Sequence, residues 1–166
     1  MSEETAKPIR LLIADDEEDL VTYLAHRVRK RGIDVTMALS GAEAVSAATE
    51  LTFDVAVVDL KMPDMDGIQV IEQLKSMQPH IEVLMLTGHG GHDTAWEAGR
   101  LQAYRYLLKP HDFEDLITLI IEAAEHRRGK MKHEFESRLA ELMTGSTSPR
   151  DIIDESEKLR REYEQD

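Results

Sequence analysis

Apolar positions along the chain follow two rhythms that take turns. Residues 9–14 (Ile-Arg-Leu-Leu-Ile-Ala) form a short apolar run, the mark of a buried strand. Helical spacing follows from about Asp19 to Arg31, with Leu20, Leu24 and Val28 on one face. Acids open this helix, and Arg27, Arg29, Lys30 and Arg31 close it, as the helix dipole favours. Gly32 stops it. The second strand is Ile33 to Leu39. Ser40 with Glu43 three residues on reads as a capping box, opening a helix to about Thr49 through Ala44, Val45 and Ala48.

The third strand begins at Phe53 and ends in Asp59, before a breaker cluster with Pro63 and Gly67. A helix over roughly 65–77 carries Ile68, Ile71 and Leu74, and Pro79 breaks the chain after it. Ile81 to Leu86 is a fourth strand, ending at Thr87. Gly88-His89-Gly90-Gly91 is a loop by composition, and a short helix over about 92–101 turns Ala95, Ala98 and Leu101 inward. Ala103 to Leu108 is the fifth strand, ending at Lys109-Pro110. The next helix starts near Asp112 with Leu116, Ile117, Ile120 and Ile121 inward. Five strands alternating with five helices predict an α/β doubly wound parallel sheet, covered on both faces by right-handed crossovers.

A different pattern sets in at Arg127-Arg128-Gly129-Lys130. Met131, Phe135, Leu139 and Leu142 make one helical stripe. A turn over 144–148 precedes Pro149, which behind Ser148 has the grammar of a helix start. Ile152, Ser156, Leu159 and Tyr163 make a second, narrow stripe. The expected organisation is a domain over 1–128 and a helical tail over 129–166. The tail is expected to fold as an antiparallel hairpin that pairs with a second copy. Docking on its own domain or on a partner, and partial disorder, stay open.

Composition narrows the chemistry. Of 166 residues none is cysteine, so disulfides and thiolate metal sites are excluded. A formal charge of −13 argues against a nucleic-acid surface, which needs a basic face. No apolar run reaches membrane-spanning length, and the opening Ser2-Glu3-Glu4-Thr5 is not a signal peptide. The expectation is a cytoplasmic protein.

The strand ends carry the candidate chemistry: Asp15-Asp16, Asp59, Thr87 and Lys109. Asp59 alone is as consistent with capping the next helix as with a site. A parallel sheet, however, brings all its carboxyl ends to one edge, where α/β folds place ligands. Three carboxylates crowded there raise one another's pKa unless a cation sits among them. Oxygen ligands without Cys point to a hard ion, Mg²⁺ or Mn²⁺.

Four segments in order resemble bacterial response-regulator receiver domains: Ile13-Ala14-Asp15-Asp16-Glu17, Val57 through Gly67, Leu86-Thr87-Gly88-His89-Gly90, and Tyr106-Leu107-Leu108-Lys109-Pro110. The resemblance covers roughly residues 8–128 and is closest to receivers of the nitrogen-regulation activator type, without an ATPase or DNA-binding segment in this stretch. It implies a flavodoxin-like (βα)5 sheet of order 2-1-3-4-5. Asp59 is then the phosphoacceptor, with a sensor histidine kinase or phosphotransfer protein as donor and a downstream protein as target. Asp16 binds Mg²⁺ directly, Asp15 mostly through water, and the Lys61 main-chain carbonyl completes the protein ligands. Lys109 pairs with one phosphoryl oxygen and Thr87 reaches another. Tyr106 matches the aromatic switch, and the Lys109-Pro110 bond is often cis in this family.

Departures fall near partner-facing surface: Gln102 stands where relatives usually have Gly, Arg105 where Asp is common, and His111 where Phe is frequent. Lys61 and His89 flank the phosphoryl site and are expected either to tune its lifetime or to be merely solvated. His89 and His92 carry a weaker reading as a metal or phosphohistidine pair. Trp96 is either a core lid or an exposed anchor. Two rival classes are an aspartyl-phosphate phosphatase, which needs an acid where Lys61 stands, and an interaction module with a vestigial site.

Overall fold

The structure, a computed structural model, describes residues 7–88, 96, 99–145 and 148–166. The expected N-terminal segment 1–6, the loop His89-Gly90-Gly91, His92 and most of the 92–101 helix lie outside them, as do Ser146 and Thr147 of the turn. Contacts divide the chain into two compact units, with the boundary between Ala124 and Glu125.

The first unit holds strands β1 (Arg10–Ala14), β2 (Asp34–Ala38), β3 (Val55–Val58), β4 (Glu82–Thr87) and β5 (Arg105–Leu108). All pairings are parallel, in the order β2-β1-β3-β4-β5. This is the expected flavodoxin-like sheet. Its central strands β1, β3 and β4 are buried on both faces because helices cover both, whereas the edge strands β2 and β5 are partly exposed. Leu11, Ile13, Val55, Val57, Leu84 and Leu86 face one core, shared with α1 (Glu18–Arg29) and the first turns of α4 (Phe113–Thr144). Leu12, Ala14, Ala56, Val58, Val83 and Met85 face the other, shared with α2 (Gly41–Glu50) and α3 (Gly67–Met77). The period of two in the strands thus feeds two separate clusters.

Helix limits differ from the sequence reading where a cap intervenes. α3 starts at Gly67 rather than 65 because Asp66 takes the N-cap. Its carboxylate accepts from the Ile68 N–H at 2.6 Å, and Gln69 returns a contact to the Asp66 N–H at 3.3 Å. At α2, Ser40 accepts from the Glu43 N–H as expected, but Glu43 reaches back to the Leu39 N–H instead of Ser40. Ile121 was expected inward and is 39% exposed; Ala123 and Ala124 fill the core there instead. Trp96 is helical and 68% exposed, so it is no core lid.

Gln102 has φ +58, a left-handed backbone that glycine adopts freely. That turn delivers the chain to β5, which starts at Arg105 rather than Ala103. It also gives a physical reason for glycine at this position in the resembling sequences.

The second unit, 125–166, contains the rest of α4 and all of α5 (Pro149–Gln165). α4 runs through Gly129 without a break. Ser148 caps α5 with Pro149 at its start, as read from the sequence. The two helices lie antiparallel: Phe135 stacks near Tyr163 with centroids 5.1 Å apart, Arg138 meets Glu162, and Arg127 meets Asp166. Met131 and Leu159 are buried, whereas Phe135, Leu139, Leu142 and Ile152 are only half-covered. Among the described residues no helix is long and apolar enough to cross a membrane.

Candidate functional site

Strand register builds the site. Ala14 of β1 pairs with Val58 of β3, so the next residues, Asp15 and Asp59, emerge side by side. The Asp59 N–H donates to the Ala14 carbonyl at 2.8 Å, which pins the Asp59 backbone to its neighbour strand. Thr87 is the last residue of β4 and pairs with Leu108, so Lys109 follows at the same edge, its N–H bonded to the Thr87 carbonyl at 2.9 Å. The Lys109-Pro110 peptide is cis.

Asp15, Asp16 and Asp59 each offer a carboxylate oxygen, and these oxygens lie within 4.8 Å of one another. Asp15 and Asp59 are buried; Asp16 is exposed. The all-oxygen donor set at this spacing fits a hard divalent cation. Lys109 Nζ lies 2.5 Å from Asp15, 3.1 Å from Glu17 and 3.8 Å from Asp59. Asp16, Glu17, Asp59, Lys61, Gly88 and Lys109 line a cavity of about 200 Å³ open to solvent.

The electrostatics are those of a site short of positive charge. Burial first, then the Asp15 charge, pushes the Asp59 carboxyl above its ordinary value. Lys109 and hydrogen bonds from the Thr87 hydroxyl and the Leu60 N–H pull the other way without winning. Burial pulls Lys109 down, but its bond to Asp15, with the charges of Asp15 and Asp59 and a bond to Glu17, raises it overall.

The loop after Asp59 is held at two points. Gly67 packs so tightly under it that an added Cβ would lie 2.4 Å from the Asp59 carbonyl oxygen. Asp64 accepts from the Gly41 and Ala42 N–H groups at 3.1 and 2.9 Å, tying the loop to the start of α2. The Ala42 bond, chiefly, holds the Asp64 carboxyl below its ordinary value. Tyr106 packs against the α2/α3 core, and its hydroxyl is buried with no hydrogen-bond partner among the described residues.

The expected site residues Asp15, Asp16, Asp59, Lys61, Thr87 and Lys109 therefore meet at one edge, whereas Tyr106 lies within β5, paired with Met85 and packed against the α2/α3 core. Two contributors were not read from the sequence. Glu17 stood in the acidic run and the resembling segment after β1 with no role of its own, and its contact with Lys109 spans 92 positions. Asp64 lay in a recognised motif, but its partners are on another helix. His89 and His92 lie outside the described residues.

A sequence model of the response regulator receiver domain matches residues 11–121. The transcriptional regulatory protein ZraR of Escherichia coli K12 is 36% identical over 118 residues, covering 71% of this chain and 27% of that protein. The chain thus spans about a quarter of the length of that curated relative. The beryllofluoride-activated NtrC4 receiver domain dimer is 36% identical with a TM-score of 0.67, covering 71% of this chain and 98% of that one. A Burkholderia pseudomallei response regulator with a phosphorylated aspartic acid, a calcium ion and citrate is 26% identical with a TM-score of 0.65, covering 81% and 84%. With the ordered strand-end acids, Thr87 and Lys109 in place, the chain belongs to the response regulator receiver domain family and so to two-component signalling.

Proposed function

We propose that Asp59 accepts a phosphoryl group from a histidine of a sensor kinase or phosphotransfer protein. An Asp59 carboxylate oxygen attacks phosphorus, the P–N bond to histidine breaks, and an acyl phosphate forms while the imidazole nitrogen recovers a proton. The observation that carries this is the setting of Asp59: a buried carboxylate at the central strand end, bonded to Thr87, 3.8 Å from Lys109 and within reach of two more acids. Asp15, Asp16, Asp59 and the Lys61 main-chain carbonyl would hold Mg²⁺, or Mn²⁺ in its place, which neutralises charge on the transferring group. Lys109 supplies the second positive charge and Thr87 a hydroxyl to the new oxygens. The phosphorylated aspartate and cation of the Burkholderia pseudomallei relative support this assignment.

Tyr106 then reads the event. Its hydroxyl, buried with no partner among the described residues, leaves the ring weakly held and so able to follow Thr87 as that side chain turns to a phosphoryl oxygen. We assign residues 1–128 to the receiver and 129–166 to output, by pairing the half-covered hairpin stripe with a second copy. The dimeric NtrC4 relative supports self-association in this family. The chain is in this reading a switch rather than an enzyme, acting in the cytoplasm and apart from membrane and nucleic acid.

Incubation with acetyl phosphate and Mg²⁺ should add one phosphoryl group, visible by intact mass, and Asp59→Asn should remove it. Undiminished labelling of that variant would overturn the assignment. Asp16→Ala should weaken Mg²⁺ binding by calorimetry. Light scattering of the full chain checks the pairing, and a monomer under all conditions would exclude it.

A further inference from the structure

One contact at the site is not needed to hold a cation or to take a phosphoryl group. The Glu17 carboxylate is 3.1 Å from Lys109 Nζ. It does not belong to the group of carboxylate oxygens close enough to share a metal, which is Asp15, Asp16 and Asp59 among the described residues. It does not cap α1 either, although Glu17 occupies the N-cap position. Its single side-chain partner among the described residues is Lys109.

An ammonium has three donors. Here one points to Asp15 at 2.5 Å and one to Glu17 at 3.1 Å. At 3.8 Å the approach to Asp59 is too long for a hydrogen bond. A phosphoryl oxygen on Asp59 needs that ammonium at hydrogen-bond distance. Asp15 is buried and also accepts the Glu17 N–H at 2.9 Å, so it is fixed in place. The Glu17 side chain is 63% exposed and free to swing into water.

We propose that Glu17 is a positioning residue that holds Lys109 in the unloaded site and gives it up when Asp59 is phosphorylated. This rests on the assignment of Asp59 as acceptor. A contact made in the unloaded site and given up on loading stabilises the unloaded state and opposes spontaneous activation.

The test is a calorimetric titration of the full chain with beryllofluoride and Mg²⁺, with a parallel measurement on metal-free protein. Glu17→Ala should bind beryllofluoride about two- to fivefold more tightly, the range expected for breaking a partly exposed ion pair. Glu18→Gln is the control: it removes the same charge one residue on, without a contact to Lys109, and should change affinity much less. In the metal-free protein, labelling of Lys109 by an amine-directed reagent, read by peptide mass spectrometry, should be faster in Glu17→Ala than in the wild type. Equal tightening in both variants, or unchanged Lys109 labelling, would overturn the role of Glu17 while leaving Asp59 as acceptor. A wild-type chain that takes no beryllofluoride would remove the acceptor assignment and this inference together.

Discussion

Two glycine-to-alanine substitutions should move stability in opposite directions, for reasons visible at each Cα. At Gly67 the new methyl would lie 2.4 Å from the Asp59 carbonyl oxygen, 2.7 Å from Leu60 Cα and 3.1 Å from the Asp59 carbonyl carbon. All three are backbone atoms, so no side chain can rotate away. The start of α3 must shift by about 1 Å to reach normal contact, and such overpacking costs roughly 1–3 kcal/mol. The shift also strains the 2.7 Å bond from the Gly67 N–H to the Leu60 carbonyl, worth about 1 kcal/mol. Helix propensity returns about 0.5–1 kcal/mol. The net expectation for Gly67→Ala is a loss of roughly 1–3 kcal/mol, with slower phosphorylation because the displaced backbone carries Asp59. At Gly129, inside α4, an added Cβ meets nothing within 4 Å. Gly129→Ala should therefore gain about 0.5–1 kcal/mol from propensity alone. Urea denaturation of both variants gives the numbers, and acetyl phosphate labelling gives the functional effect. A Gly67→Ala protein as stable and as quickly phosphorylated as the wild type would refute the close-packing argument.

Two further outcomes follow from the site and its surroundings. The folded Asp59 pKa is raised above 3.8, so the folded state holds its proton more tightly and the wild type loses stability as pH rises through that range. Asp59→Asn should be more stable than the wild type at neutral pH without metal. The difference should fade as pH falls to the unfolded value and should shrink when Mg²⁺ is added; urea midpoints at pH 3.5 and 7 with a chelator check it. Gln102→Gly should gain about 0.5–1 kcal/mol by relieving the left-handed backbone at φ +58, and a clear loss in the same denaturation assay would contradict that geometry.

Most of the fold was legible because each strand has an apolar centre, residues 11–14, 55–58 and 83–86 most clearly, and is followed by a turn signal and a helical spacing. The site was legible because parallel strands gather their ends: Asp15, Asp59, Thr87 and Lys109 needed no knowledge of side-chain packing. What escaped depended on long-range contacts. Nothing local distinguishes Glu17 from Glu18, yet only one reaches Lys109. Asp66 and Gln69 form the capping box that opens α3 at Gly67, two residues inside the start that the spacing of Ile68, Ile71 and Leu74 places near 65. Ile121 fits the helical stripe by spacing, and its exposure reflects a core already filled by Ala123 and Ala124.

Three carboxylates, from Asp16, Glu17 and Asp59, line the cavity, with a fourth, Asp15, bonded to Lys109 beside it, against the ammoniums of Lys61 and Lys109. The chain around them is itself anionic, with a formal charge of −13. Every phosphodonor is an anion too, so encounter is a meeting of like charges. Screening over a Debye length of about 8 Å at physiological ionic strength lowers that barrier. Association with small phosphodonors should accordingly quicken as salt is added, the reverse of the behaviour of a steered pair. On the proposed reading, a divalent cation in the site lowers this penalty for every donor, and a protein donor with a basic rim around its phosphohistidine lowers it further, before the two surfaces touch.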